Sequence, residues 1–71
     1  MAKPKITNAI RRLRFDADEM TQQALADRVG VTRQTIVAIE NAKYYPTLEL
    51  AFLIAGVFNK PLEEVFVFQL D

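Results

Sequence analysis

The stretch Thr21-Gln22-Gln23-Ala24-Leu25-Ala26-Asp27-Arg28-Val29-Gly30-Val31-Thr32-Arg33-Gln34-Thr35-Ile36-Val37-Ala38-Ile39-Glu40 decides the fold. Thr21 has a side-chain oxygen suited to capping a helix start, and Leu25, Ala26 and Val29 then recur at the spacing of one apolar helix face. A helix is therefore predicted over Gln22 to Val29. Gly30 ends it, because glycine alone enters the left-handed region without steric cost. Thr32 repeats the cap, and a second helix is predicted from Arg33 to about Asn41 with Ile36 and Ile39 inward. Ala26 is small enough for the second helix to cross closely, and Val31 plugs the space between them. Leu25, Val29, Ile36 and Ile39 then seal the crossing at about 90–120°. Any one of these residues is common in helical hairpins. Their conjunction is specific.

Working outward, Ile6, Ile10, Leu13 and Ala17 follow helical spacing, so a first helix is predicted over Asn8 to Ala17 with Thr7 or Asn8 as its cap. Asp16 to Glu19 reads as a turn. Asn41 to Pro46 is a loop, since the residue before a proline is pushed out of helical geometry. Thr47 caps a fourth helix, Leu48 to Phe58, apolar almost all round and expected to be the central buried one. Pro61 fits a first helical position and opens a short fifth helix through Glu64. The tail Val65-Phe66-Val67-Phe68-Gln69-Leu70 is β-branched and aromatic and reads as a short strand. Its expected partner is the segment around Lys5 to Thr7, giving a two-stranded antiparallel ribbon. The expected fold is mainly α, five helices plus that ribbon, as one domain over residues 1–71.

Composition narrows the function. The 71 residues contain no Cys, His, Ser or Trp. That removes thiolate and imidazole metal sites, Ser and Cys nucleophiles and His acid–base chemistry, so neither an enzyme nor a metal or other cofactor is expected. No small-molecule ligand is expected either. The longest uncharged run, Leu50 to Asn59, is far short of the about 20 residues that span a membrane. Met1 to Lys5 leads into no apolar signal region, so a cytoplasmic location is expected. Net charge is zero, but it is unevenly spread. Up to Leu48 eight basic residues face five acidic ones, and from Glu49 onward Lys60 faces four acidic ones. A surface facing nucleic-acid phosphates would thus lie in the first two thirds.

In a helix-turn-helix (here about 21–41) the face of the second helix turned away from the core stands proud of the surface. That face carries Arg33, Gln34, Val37 and Asn41. Groove-entering helices touch base edges near their N-termini, where Arg can bind guanine and Gln adenine bidentately. Val37 would fit a thymine methyl, its alternative being a stray surface apolar residue, and Ala38 is small enough for close approach. Phosphate contacts are expected from Gln22, at a helix N-terminus where free amides favour an anion, and from Lys43, Tyr44 and Tyr45. Loop packing accounts equally for one of the tyrosines. Thr32, Thr35 and Thr47 could also donate to phosphate, although capping explains Thr32 and Thr47 as well. Arg11 and Arg12 read as solvated charge.

The chain resembles the Cro/repressor type, or XRE family, of bacterial, archaeal and phage regulators. The likeness spans nearly the whole length. It is strongest from Met20 to Ile36 and in Ile39-Glu40-Asn41-Ala42-Lys43-Tyr44-Tyr45-Pro46-Thr47-Leu48-Glu49-Leu50-Ala51. Pro61-Leu62-Glu63-Glu64-Val65-Phe66 is similar to the shortest members, including the cytolysin repressor type, which are free-standing dimers of five helices plus a ribbon. The resemblance implies a transcription regulator bound to double-stranded DNA. It further implies an Arg14–Glu40 pair, and a Gln22 side chain that clamps the DNA backbone and orients Gln34. Three departures stand out. Ala42 replaces the usual Gly, so the following turn is expected to be less sharp or one residue longer. The loop between Arg14 and Gln22 is one residue longer, and Leu53 and Gly56 replace common basic residues.

The tail asks for a partner. Leu62, Val65, Phe66, Phe68 and Leu70 are many large apolar groups for one end of a small domain, and an isologous two-fold interface over about residues 61–70 would cover them. Leu53 could extend that patch or belong to the core, and close approach of another helix could offset the cost of Gly56. A homodimer on a short palindromic operator follows. The alternative is a protein-interaction module of the same fold, such as an antitoxin or a complex-docking domain, which zero net charge and the apolar tail favour.

Overall fold

In the computed structural model, which describes residues 5–69, α2 (Gln22–Val29) and α3 (Arg33–Glu40) take the predicted form. Each starts on a threonine whose hydroxyl oxygen accepts an amide three residues on: Thr21 from Ala24 at 2.9 Å and Thr32 from Thr35 at 3.2 Å. Gly30 sits at φ 76° and ψ 32°, and the amides of Gly30 and Val31 both reach the Ala26 carbonyl. Leu25, Ala26, Val29, Ile36 and Ile39 face one another as the core, with Val31 packed against it.

The remaining elements are β1 (Ile6–Asn8), α1 (Ile10–Asp16), α4 (Leu48–Val57), α5 (Leu62–Val65) and β2 (Phe66–Phe68). β1 and β2 form the expected antiparallel ribbon, with Ile6 opposite Phe68, Thr7 opposite Val67 and Asn8 opposite Phe66. Ile10, Ile54, Ala55 and Val65 complete the core from α1, α4 and the end of α5. A mainly helical fold of five helices and a two-stranded sheet is what the sequence predicts.

Several boundaries move. The first helix starts at Ile10 rather than Asn8, because Ile6 to Asn8 are drawn into the ribbon. Neither Thr7 nor Asn8 holds the cap position, which falls to Ala9; Asn8 Oδ1 nevertheless accepts the Ile10 amide at 3.2 Å. Pro61, at ψ 154°, precedes α5 instead of occupying its first turn. The fourth helix is not buried all round. Ala51, Ile54 and Ala55 face inward while Leu48, Phe52 and Leu53 are exposed, because α4 lies at the edge of the bundle with neighbours on one side. Among the described residues no helix is long and apolar enough to cross a membrane.

The turn after α3 also departs from expectation. Ala42 takes φ 58°, its amide donates to the Ile39 carbonyl at 2.9 Å and the Lys43 amide to the Ala38 carbonyl at 2.9 Å. This is the Schellman closure that glycine normally makes. The turn is neither looser nor longer; an alanine is held in the glycine conformation. α4 ends alike on Asn59, at φ 54°. The longer loop after α1 is accommodated by two successive left-handed residues, Asp18 and Glu19.

Candidate nucleic-acid interface

The site begins with an ion pair that fixes α3. Arg14 Nε donates to Glu40 Oε2 at 2.6 Å and its second terminal nitrogen to Oε1 at 3.1 Å, a bidentate fork. The remaining terminal nitrogen donates to the Met20 carbonyl at 2.8 Å. One guanidinium thus ties α1, the loop after it and the last residue of α3. Its side chain is 15% exposed and that of Glu40 is 7%, so the pair sits under the surface rather than on it. Gln22 joins from the first turn of α2 by donating Nε2 to Glu40 Oε1 at 3.2 Å. In the free chain that bond goes to Glu40 and not to Gln34. Held so, the Gln22 amide keeps one N–H and its oxygen for other partners.

Above this network the outer face of α3 is open. Arg33 and Gln34 are exposed at its N-terminal end; Val37 and Ala38, one turn on, are half-buried. Val37 is therefore a partly shielded apolar spot rather than a protruding one. These four line a shallow depression with Asn41 and Lys43. A second, more polar groove runs beside it, lined by Arg11, Arg14, Thr21, Gln22, Gln23, Arg33, Glu40 and Asn41. Arg33 and Asn41 belong to both, so the two concavities form one surface across the N-terminus of α2 and the outer side of α3. Apart from Val37 and Ala38, its side chains are cations and neutral hydrogen-bonding groups, because the one carboxylate that lines it, Glu40, is already bound. The surface suits an anionic, hydrogen-bonding partner.

Residues 10–65 match the helix-turn-helix family. The chain belongs to that family, in its Cro/repressor (XRE) type. An uncharacterised helix-turn-helix-type transcriptional regulator of Archaeoglobus fulgidus is 57% identical over 49 residues, covering 69% of this chain and 69% of the relative. One from Methanocaldococcus jannaschii is 50% identical over 52 residues, covering 73% and 79%. One from Bacillus subtilis is 48% identical over 46 residues, covering 65% and 70%. Among solved structures, a candidate DNA-binding protein from Bacteroides fragilis superposes with a TM-score of 0.75 over 86% of this chain and 97% of its own. At 21% identity that likeness speaks for the fold.

The other expected contact residues of this XRE-type chain fall around the same surface or apart from it. Lys43, Tyr44 and Tyr45 are exposed in the loop after α3, and the two tyrosines are not packed away. Thr32 is exposed and Thr35 half-buried, their hydroxyl oxygens 3.0 Å apart, so each already has a partner. Thr47 is exposed and accepts the Leu50 amide at 3.2 Å as the α4 cap. Arg11, read from the sequence as solvated charge, Thr21, read as a helix cap, and Gln23 also line the polar groove. Only the folded chain, which sets the outer side of α1 beside the start of α2 around the Arg14–Glu40–Gln22 network, gathers them there. Arg12 instead pairs with Asp16 one turn along α1 at 3.4 Å, as solvated charge.

The tail needs correcting. Val65 is fully buried within the chain itself and cannot meet a second molecule. Leu62 and Phe66 are partly buried against the same core, while Phe68 is 59% exposed; Leu70 lies outside the described residues. Leu53 is exposed, not core. A Cβ added at Gly56 meets nothing within 4 Å, so among the described residues no other helix approaches it closely.

Proposed function

We propose that this chain is a sequence-specific, double-stranded-DNA-binding transcription regulator of the cytoplasm, a binding protein rather than an enzyme. It acts as a homodimer on a short palindromic operator. The observation that carries the reading is the outer face of α3. Exposed Arg33 and Gln34 stand at the helix start beside Val37 and Ala38, on a helix locked from behind by Ile36, Ile39 and Glu40. Arg33 and Gln34 hydrogen-bond base edges, Val37 meets a thymine methyl, and Ala38 lets the helix seat deeply. Gln22, Thr32, Thr35, Lys43, Tyr44, Tyr45 and Thr47 supply phosphate contacts at the rim. The two recognition helices enter major grooves about 34–36 Å apart. Exposed Phe68 on one face of β2 and Val67 on the other, with partly buried Leu62 and Phe66, are the apolar groups a second copy would cover.

Selection from a random duplex library tests this. Enrichment of a palindrome is the expected result, and no enriched sequence would sink the proposal. Within it, Arg33→Ala weakens binding by about 1–3 kcal/mol and relaxes preference at one base position. Lys43→Ala weakens all sequences alike and lowers the salt dependence; a shift in sequence preference would remove Lys43 from the phosphate contacts.

A second reading, a protein-docking module such as an antitoxin, is favoured by the exposed Phe15, Leu48 and Phe52. Gel filtration with and without a palindromic duplex separates the two: co-elution with DNA supports the first.

A further inference from the structure

Asn8 sits in the ribbon by its backbone and makes two side-chain hydrogen bonds, more than any other side chain of the ribbon. Its backbone sits in β1 opposite Phe66 of β2. Its Oδ1 accepts the Ile10 amide at 3.2 Å, tying down the start of α1. Its Nδ2 donates to the Ile39 carbonyl at 2.8 Å, across 31 residues of sequence. Ile39 is the penultimate residue of α3, and its carbonyl also accepts the Ala42 amide at 2.9 Å. Both lone pairs of that oxygen are therefore engaged, one closing the helix and one holding it to the ribbon.

Among the described residues the opposite end of α3 has no such tie: Thr32 caps it locally and Arg33 and Gln34 are exposed. The C-terminal end is instead fixed at two points, by Arg14 on Glu40 and by Asn8 on Ile39. The first point leads into α1 and α2. The second leads straight into the strand pair that carries exposed Val67 and Phe68.

We propose that Asn8 is a positioning residue that sets the angle of α3 relative to the ribbon, and through it the separation of operator half-sites that two copies can read together. The proposal rests on the dimeric DNA-binding reading above. In a two-fold dimer built on the ribbons, a change in the ribbon-to-α3 angle is doubled across the axis, because each copy contributes it once. Contacts within one half-site come from α3 and from Gln22 and the loop after α3, none of which the Asn8 side chain bonds except at the Ile39 carbonyl, and they are left unchanged. Asn8 thus acts on spacing without touching DNA.

The experiment compares wild type with Asn8→Asp and Asn8→Ser on palindromic duplexes whose half-sites, taken from the selected operator, are separated by spacers varied one base pair at a time. A duplex with a single half-site is measured alongside. Asp keeps an oxygen for the Ile10 amide but faces the Ile39 carbonyl with an acceptor; Ser keeps an oxygen and is too short to reach Ile39. Thermal melting establishes that each variant is folded, and Asn8→Ser carries the test if Asn8→Asp is not. The expected result is unchanged single-half-site binding with a preference for the best spacer over its neighbours reduced by about three- to tenfold, the worth of one hydrogen bond. A spacer profile identical to wild type, or an equal loss on every duplex including the single half-site, overturns the proposal for Asn8. A wild-type protein indifferent to spacing overturns instead the dimeric reading beneath it.

Discussion

Replacing Ala42 by glycine is expected to stabilise the protein slightly, the reverse of what glycine does within a helix. Ala42 holds φ 58° with two helix-closing hydrogen bonds around it, so an L side chain occupies a region that costs about 1–2 kcal/mol. Glycine removes that strain. Against it stand the larger freedom of glycine in the unfolded chain, about 0.5–1 kcal/mol, and loss of a half-buried methyl worth about 0.4 kcal/mol. The net gain is a few tenths of a kcal/mol, or about 2 °C in melting temperature for a domain of this size. The matched control is Ala38→Gly in the same helix, half-buried like Ala42 but within α3. There glycine gains nothing from strain and costs about 1.4 kcal/mol in propensity and lost methyl. The difference between the two substitutions is therefore about 1.5–2 kcal/mol, well outside the error of urea or thermal unfolding at fixed protein concentration. Equal destabilisation by both would refute the reasoning, since it would mean that the chain does not hold Ala42 in a strained left-handed turn.

Two further expectations concern stability. Glu40→Ala leaves the mostly buried Arg14 guanidinium without its partner and is expected to cost about 3 kcal/mol, read by denaturant unfolding; replacing both residues by methionine should recover part of that loss. Gly56→Ala should stabilise by up to about 1 kcal/mol, because the added Cβ meets nothing within 4 Å. If it instead shifts the protein to a smaller size in sedimentation, a second copy packs on that face of α4.

What the sequence makes legible here is whatever is decided within one or two turns of chain. Thr21, Thr32 and Thr47 mark helix starts correctly because each cap bonds an amide three residues away. Gly30 marks a stop because its φ is a local matter. The errors arise where a distant partner decides. Thr7 and Asn8 have the chemistry of caps, but pairing with Phe66 and Val67 takes them into a strand. An apolar run such as Leu48 to Val57 has no periodicity to say which side is inward; the exposure of Leu48 and Phe52 follows from α4 having neighbours on one side. Counting apolar groups in the tail overstates the exposed surface, because Val65 closes α5 onto the core. The candidate contact face was legible along α3, whose residues share one helix. Arg11, Thr21 and Gln23 were not, since they come from separate elements and meet only in the folded chain.

The neutral charge and the constrained α3 bear on each other. A DNA-binding protein rich in net positive charge gains affinity from phosphates whatever the sequence. With a net charge of zero, little of that attraction is on offer, and discrimination has to come from side chains held in register with base edges. α3 is held in just that way: by Thr32 at its start, by Ile36 and Ile39 along its inner side, and by Arg14 and Asn8 at its end. The left-handed Ala42 belongs to the same set, because its closure places Lys43 beside Val37, Ala38 and Asn41. On the proposed function, then, loosening the Thr32, Ile36, Ile39 or Arg14 tie should lower discrimination between base sequences more than it lowers binding to random DNA, whereas loosening Asn8 should act on half-site spacing.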